Sequence, residues 1–257
     1  MTEDEFNYDD RTGKGPSSWG TLKPEWRTCG VGQRQSPINI RTVQVSSQLR
    51  DLQKNYKFAK ADLLNTTVNV EVNFIGDAGS ITINGTVYRV QNIHWHSPSE
   101  HTFGGVRYIQ SIYDLFSDNY DILLIIIKEK STRNPITEKS YIYLRSVHTL
   151  IFRPRFIRIA VVSMLYRIGQ PDPFLTRIFP ILSVLRQTER PLGVVNPEEV
   201  GIQGSSFYRY NGSLTVPPCT EDVTWMVYLM VLYSSTIPNI IKLTYTYKLS
   251  SSNPSQT

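Results

Sequence analysis

The chain of 257 residues is poor in histidine and cysteine, with four of one and two of the other, so any site built on them has few candidates. No apolar run approaches the ~20 residues that cross a bilayer as a helix, and Ile122 to Ile127 is too short, so a membrane-spanning helix is excluded. No self-similarity at a period of roughly 20–50 residues is present, which argues against a solenoid or propeller. The one biased block is the serine-rich stretch from Ser250 to Ser255. The opening Met1-Thr2-Glu3-Asp4-Glu5-Phe6 has no basic start and no apolar h-region, so either a targeting peptide precedes this sequence or the chain is not exported. No linker divides the chain, and its length supports one domain over residues 1–257 with a substantial core.

The net charge is +5, which raises the question of a nucleic-acid partner. Its location answers it. Between Lys128 and Arg158 lie eight Lys/Arg and two Glu, an excess of six that is larger than the whole net charge. These cations are scattered among Ile, Tyr and Phe in no nucleic-acid-binding pattern. The region reads as a solvated insertion, placed at about 109–143, and no nucleic-acid partner is expected.

The first 40 residues, rich in Gly, Pro and Trp, read as ordered coil over a sheet. Ser46 to Tyr56 is expected to be a short helix. Val68 to Phe74 alternates apolar and polar residues as a half-buried strand does. Ser80 to Asn84 and Val87 to His96 flank Asn84-Gly85, a strong hairpin signal. Ile159 to Ile168 and Phe207 to Leu214 read as further strands. Pro173 to Glu189 reads as a helix that Pro180 should interrupt or kink. The pattern is dominated by strands, with few helices.

Chemistry concentrates in Gln91-Asn92-Ile93-His94-Trp95-His96-Ser97-Pro98-Ser99-Glu100-His101-Thr102. On a strand His94 and His96, two residues apart, point to one face, and two imidazoles on a rigid strand are most of a zinc site. Glu100 follows as a carboxylate able to orient groups around such a metal. A His-x-His pair alone is more often packed or solvated than metal-binding. The longer run is far more specific.

It resembles the zinc-binding strand of the α-carbonic anhydrases in their plant form, which includes dioscorin-like proteins. Trp19-Gly20, the segment Gln35-Ser36-Pro37-Ile38-Asn39-Ile40, Ile159 to Gly169, and Tyr208 to Glu221 with its Ser213-Leu214-Thr215-Val216-Pro217-Pro218-Cys219 core are similar to the family's other blocks, in the same order. The resemblance covers roughly residues 5–108 and 159–229. It implies a mainly β (α+β) fold, one large and mostly antiparallel twisted sheet with small peripheral helices. It implies a zinc lyase that hydrates carbon dioxide reversibly to bicarbonate and a proton. Three neutral imidazoles hold the metal, which lowers the pKa of water to about 7. Thr215 matches the hydroxyl that orients the nucleophile, Glu100 the carboxylate that holds it, and Val161, Leu214 and Trp225 the apolar wall that receives the substrate. Cys29 and Cys219 match a disulfide pair, closing about 190 residues. That bond would imply an oxidising compartment, secreted or a plastid or secretory-pathway lumen. Three sequons, at Asn65, Asn84 and Asn211, are compatible with secretion.

The sequence departs from the family at the third zinc ligand. Continuing from Gly105 to Tyr108 without a gap, the ligand position falls on Tyr113 and its supporting glutamate on Ser111. His101 matches a family histidine that is not a ligand. His148, in Leu144 to Phe152, remains as the third candidate. Aligned backwards from Ala160 it lies one residue out of register, a slip that turns a side chain to the other face and that a one-residue bulge would restore. Ser146 then stands where a supporting glutamate should be. The family's proton-shuttle histidine aligns with Val68. From about 230 onward the tail is unlike the family, as are residues 109–158, and both stretches are open to being translated non-coding sequence. The enzyme reading therefore stands beside a non-catalytic storage or binding protein of the same family.

Overall fold

In a computed structural model of the chain, the described residues are 5–41, 52–65, 70–96, 100–103, 119–129, 158–167, 169–185, 189–201, 206–233 and 235. Among them, ten strands form one sheet, built from β2 (Gln53–Tyr56), β3 (Ala59–Asn65), β4 (Val70–Ile75), β5 (Gly79–Ile83), β6 (Thr86–Trp95), β8 (Asn119–Glu129), β9 (Ile159–Arg167), β10 (Glu189–Val195), β11 (Phe207–Ser213) and β12 (Glu221–Tyr233). The order is β10-β3-β4-β6-β8-β9-β12-β11, with β2 paired to β5 and β5 to β6. Every pairing in this sheet is antiparallel except β12 with β9. Two short strands, β1 (Asn39–Ile40) and β7 (Thr102–Phe103), pair in parallel apart from it. The helices are small: α1 (Trp19–Leu22), α2 (Thr28–Val31) and α3 (Pro173–Leu182), with 3₁₀ turns at Asp10–Thr12, Pro24–Trp26 and Pro197–Val200.

Local sequence accounts for several of these elements. Asn84 (φ +49°) and Gly85 (φ +79°) form the two-residue turn between β5 and β6, where both central residues need positive φ. Alternation in Val70-Glu71-Val72-Asn73 gives β4 a buried side, Val70 and Val72, and a part-buried side. In α3, Asp172 caps the N-terminus by accepting from Leu175 N at 2.8 Å, Pro173 opens the helix, and Phe174, Leu175, Ile178 and Leu182 form its buried stripe. That stripe packs over one face of the sheet, on Leu63, Val72, Ile93, Trp95, Val162 and Met164.

Two expectations are corrected. Within Ser46–Tyr56 the described residues are 52–56, of which Gln53–Tyr56 is a strand and not a helix. Its four residues pair with Gly79, Ser80, Ile81 and Thr82 and alternate exposed with part-buried, so non-local hydrogen bonding overrides weak local preference. The helix expected from Pro173 to Glu189 ends at Leu182, two residues past Pro180, and Glu189 instead begins β10, paired with β3. Pro180 lacks the N–H that would bond to Thr176, and its ring crowds that turn, so the helix cannot propagate far beyond it. Ile122–Ile127 lies inside β8, between β6 and β9. The rest of the expected insertion, 109–118 and 130–143, and residues 68 and 69 lie outside the described residues.

The N-terminal segment crosses the end of β11 and β12. Gln35 Nε2 donates to Cys219 O (3.3 Å) and Glu221 Oε1 (3.1 Å). Ser36 and Ser213 exchange backbone-to-hydroxyl bonds at 2.9 and 3.1 Å. Cys29 and Cys219 form a disulfide with Cα atoms 5.0 Å apart, beside a small cluster of Phe6, Trp19 and Trp26. It closes a separation of 190 residues, for which chain entropy alone gives a stabilisation of about 5 kcal/mol as an upper bound. Cys29→Ser/Cys219→Ser should therefore lower the urea midpoint by an amount worth several kcal/mol, and reductant should do the same to the unaltered chain but leave the double variant unchanged.

Candidate metal and substrate site

β6 carries a one-residue bulge. Val90 is opposite Ile127 and Asn92 opposite Ile126, so Gln91 has no counterpart in β8. Before it Tyr88 and Val90 enter the core beneath α3; after it Ile93 and Trp95 do. The bulge therefore switches the strand's parity and puts Asn92, His94 and His96 on the opposite face. Strand register extends that face across the sheet. One row runs Glu71, His94, Leu124, Ser163, Val227, Tyr208, and the next runs Asn73, Asn92, Ile126, Val161, Trp225, Tyr210. The histidines thus share a face with Val161 and Trp225, which cluster with Leu214, Ile40 and Val223.

His94 and His96 are buried, with ring centroids 5.0 Å apart and planes at 88°. Burial, and after it the proximity of His96, holds the pKa of His94 well below the ordinary histidine value, so His94 is a neutral imidazole. Its Nδ1 is buried and has no hydrogen-bond partner among the described residues. Glu100 Oε1 lies 4.0 Å from His96 Nε2. Thr215 is part-buried in the turn after β11, immediately beyond Leu214, in a loop closed by Leu214 N to Thr220 O and Cys219 N to Val216 O, both 2.9 Å.

His101 is 1% exposed and bonds through Nε2 to the Tyr210 hydroxyl at 2.7 Å, while that hydroxyl also meets Ser36 Oγ at 2.9 Å. Tyr210 stacks on Trp225, whose Nε1 donates to Ser213 O at 2.8 Å. Only glycine fits at position 212, since a Cβ there would meet Ser36 Oγ and the Tyr210 ring inside contact distance. This network holds the Glu100–Thr102 segment against β11 and β12, giving His101 a structural place and not that of a ligand.

Two groups escaped the sequence reading. Tyr8, 38% exposed overall, lies near Glu100: desolvation of its hydroxyl end, and then the Glu100 charge, raise the pKa of its phenol. Coil around Tyr8 has no period from which its position could be read. Glu71 sits opposite His94 and accepts from Asn92 Nδ2 at 2.9 Å; desolvation raises its pKa. The alternation of β4 marks Glu71 as off the core side, but only its register with β6 shows which residue it faces.

The donor chemistry fits zinc in part. Two buried imidazoles at right angles, that of His94 held neutral and with no partner for its Nδ1 among the described residues, suit the metal. No group of three or more His, Cys, Asp or Glu able to hold a metal occurs among the described residues. His148, Ser146, Tyr113, Ser111 and Val68 all lie outside them.

A wide sheet, with a histidine pair on its polar face beside an apolar wall, defines the architecture of a carbonic-anhydrase-like protein. The sequence profile of the eukaryotic-type carbonic anhydrases matches residues 14–113 and 153–248, and the chain belongs to that family. It is 38% identical over 230 residues to alpha carbonic anhydrase 6 of Arabidopsis thaliana, covering 89% of this chain and 74% of that protein. It is 37% identical over 230 residues to dioscorin dioA3 of Dioscorea japonica, covering 88% and 72%. The crystal structure of dioscorin complexed with ascorbate superposes with a TM-score of 0.72 at 36% identity, over 93% of this chain and 87% of that one. The α-carbonic anhydrase of Thermovibrio ammonificans shares the fold, with a TM-score of 0.70 at 23% identity, over 93% and 91%.

His101 makes a pH test possible. Burial lowers its pKa from 6.5 to about 4. Unfolding releases it to its ordinary value, so between pH 6.5 and about 4 the unfolded state binds the extra proton and stability falls as pH falls. From pH 7 to 4.5 this one group should account for about 2 kcal/mol of lost stability. Urea unfolding of His101→Gln should show a correspondingly shallower acid dependence than the unaltered chain; parallel curves would contradict a neutral, desolvated His101.

Proposed function

We propose that the chain is built for the zinc-dependent, reversible hydration of carbon dioxide to bicarbonate and a proton, with turnover conditional on a third metal donor. The observation that carries this reading is the shared face of β6, β9 and β12, where the buried pair His94 and His96, the former held neutral, shares a face with the apolar cluster of Val161, Leu214 and Trp225. His94 and His96 would hold zinc, and His148 is the remaining histidine able to complete a set of three, His101 being committed to Tyr210. Bound zinc supplies Lewis acidity that brings the pKa of a water near 7. Thr215 would donate its hydroxyl proton to Glu100, leaving a lone pair to orient the attacking hydroxyl. Val161, Leu214 and Trp225 exclude water where the apolar substrate sits. With Val68 at the shuttle position, proton export is slow by that route. The disulfide and the plant relatives support an oxidising, secreted or luminal compartment.

A non-catalytic binding or storage role is the second reading. It is favoured by β8, the strand beside β6, which pairs Leu124 with His94 and Ile126 with Asn92 and contains no histidine. Dioscorins among the relatives belong to the same family.

Metal analysis of the purified chain after chelator dialysis separates the two. The enzyme reading expects about one zinc per chain, held more weakly than by an intact three-histidine site because Ser146 aligns with the family's supporting glutamate. His94→Ala should abolish binding. His148→Ala should weaken it by at least ten-fold and abolish carbon dioxide hydration. Zinc retention indifferent to His148→Ala, without hydration by the unaltered chain, would establish the second reading instead.

A further inference from the structure

We propose that Asn84 and Asn211 carry N-linked glycans and that Asn65, at the third Asn-x-Ser/Thr of the chain, does not. The three sequons are equivalent in sequence and differ sharply in structure.

Asn65 ends β3, is 4% exposed, and donates from Nδ2 to Leu185 O at 3.3 Å. Leu185 is itself part of the core. A saccharide on that nitrogen would need the volume that the Leu185 segment fills, so a chain modified there could not close this part of the fold.

Asn84 is the opposite case. It is exposed at the tip of the β5–β6 hairpin, and its Oδ1 accepts from Arg209 Nη1 at 3.2 Å. A guanidinium only donates, so this bond fixes the amide with oxygen toward Arg209 and Nδ2 away from it. Attachment at Nδ2 leaves the bond intact. Gly85 is likewise exposed, and Thr86, the hydroxyl residue of the sequon, begins β6 part-buried.

Asn211 is exposed on β11, two residues beyond Arg209 and so on the same face of that strand. Its neighbours Gly212 and Ser213 are buried against Ser36, which leaves the asparagine as the outward residue of the triplet. Arg209 thus stands between the two acceptors. Glycans on both would cover one flank of β11, the terminal strand of the sheet among the described residues, and shield that edge from pairing with another chain.

The inference rests on the oxidising lumen proposed above, which the Cys29–Cys219 bond requires and in which such transfer occurs. The donor is a lipid-pyrophosphate-linked oligosaccharide. Its anomeric carbon bonds to asparagine Nδ2, the bond from that carbon to pyrophosphate oxygen breaks, the lipid pyrophosphate leaves, and Nδ2 gives up one proton.

The test is the full chain, secreted from insect cells behind a cleavable leader, with intact mass measured before and after an N-glycan amidase. Two glycans should be lost from the unaltered chain, one from Asn84→Gln, one from Asn211→Gln, and two from Asn65→Gln. Thr86→Ala, which keeps Asn84 and its contact with Arg209, should also remove one glycan, and Thr86→Ser should keep it. A secreted chain whose mass the amidase leaves unchanged, or one bearing sugar on Asn65, or one lacking it at Asn84 or Asn211, overturns the proposal. Because the leader imposes the compartment, such a failure counts against these sites and leaves the zinc and compartment readings untouched.

Discussion

A single extra residue in β6 decides what this sheet can do. Up to Val90 the even-numbered side chains enter the core; past Gln91 the odd-numbered ones, Ile93 and Trp95, take over. Without the bulge, His94 and His96 would point under α3, among Leu175, Ile178 and Met164, and Ile93 and Trp95 would face the other way. Burying two imidazoles in that apolar layer without partners costs several kcal/mol. The bulge falls where β6 exchanges its neighbour, pairing through Thr86–Arg89 with β5 and through Asn92–Trp95 with β4. A strand that must change partners has to bend, and the inserted residue supplies the bend and the change of face together.

Desolvation is the second organising condition, and two histidines answer it differently. His101 and His94 are both kept neutral by burial. His101 satisfies a ring nitrogen on Tyr210 and thereby joins three distant segments, through Ser36, Tyr210 and the turn before β7. His94 Nδ1 has no partner among the described residues, and a buried polar atom left unmet costs about 1–3 kcal/mol. Native proteins rarely hold such a group without a ligand, an ion or a water to meet it. Glu71 and Asn92 add to the same polar patch, where Asn92 Nδ2 is engaged by the carboxylate and Oδ1 is likewise unsatisfied. Polarity is concentrated around His94, while Val161, Leu214 and Val223 give the neighbouring cluster apolar surface, a division suited to a small apolar substrate meeting a polar nucleophile.

What the sequence discloses follows from how local each feature is. The Asn84-Gly85 hairpin and the shared face of His94 and His96 depend on a few adjacent residues, and both were legible. The disulfide was legible only through resemblance, since no local rule pairs Cys29 with Cys219. Gln53–Tyr56 was misread because four mostly polar residues carry no period, and their strand character comes wholly from β5. β10 was missed for the same reason: Glu189-Arg190-Pro191 resembles the end of a helix, and only pairing with Leu63 and Leu64 makes it a strand. Tyr8 and Glu71 reach the site through tertiary contacts that no window of the sequence contains.

The third metal donor turns on the same physics as the bulge. β8 lies hydrogen-bonded between β6 and β9, and its register opposes His94 with Leu124 and Asn92 with Ile126. No residue of β8 at those positions can ligate zinc, so a donor has to come from another part of the chain. His148 is one residue out of register with the ligand position, and single-residue slips are a recurring device of this sheet. Gln91 makes one in β6, Ile122 makes one between Asp121 and Leu123 of β8, and Asp222, at φ +65°, makes one between β11 and β12. A slip of that size is therefore within what this fold already accommodates, and the larger departure lies in the sequence, where Ser146 aligns with the family's supporting glutamate. An imidazole with no carboxylate or carbonyl on its far nitrogen is a weaker and less well oriented ligand, which makes the strength of metal retention, and not the presence of a third histidine alone, the property that separates an enzyme from a binding protein on this scaffold.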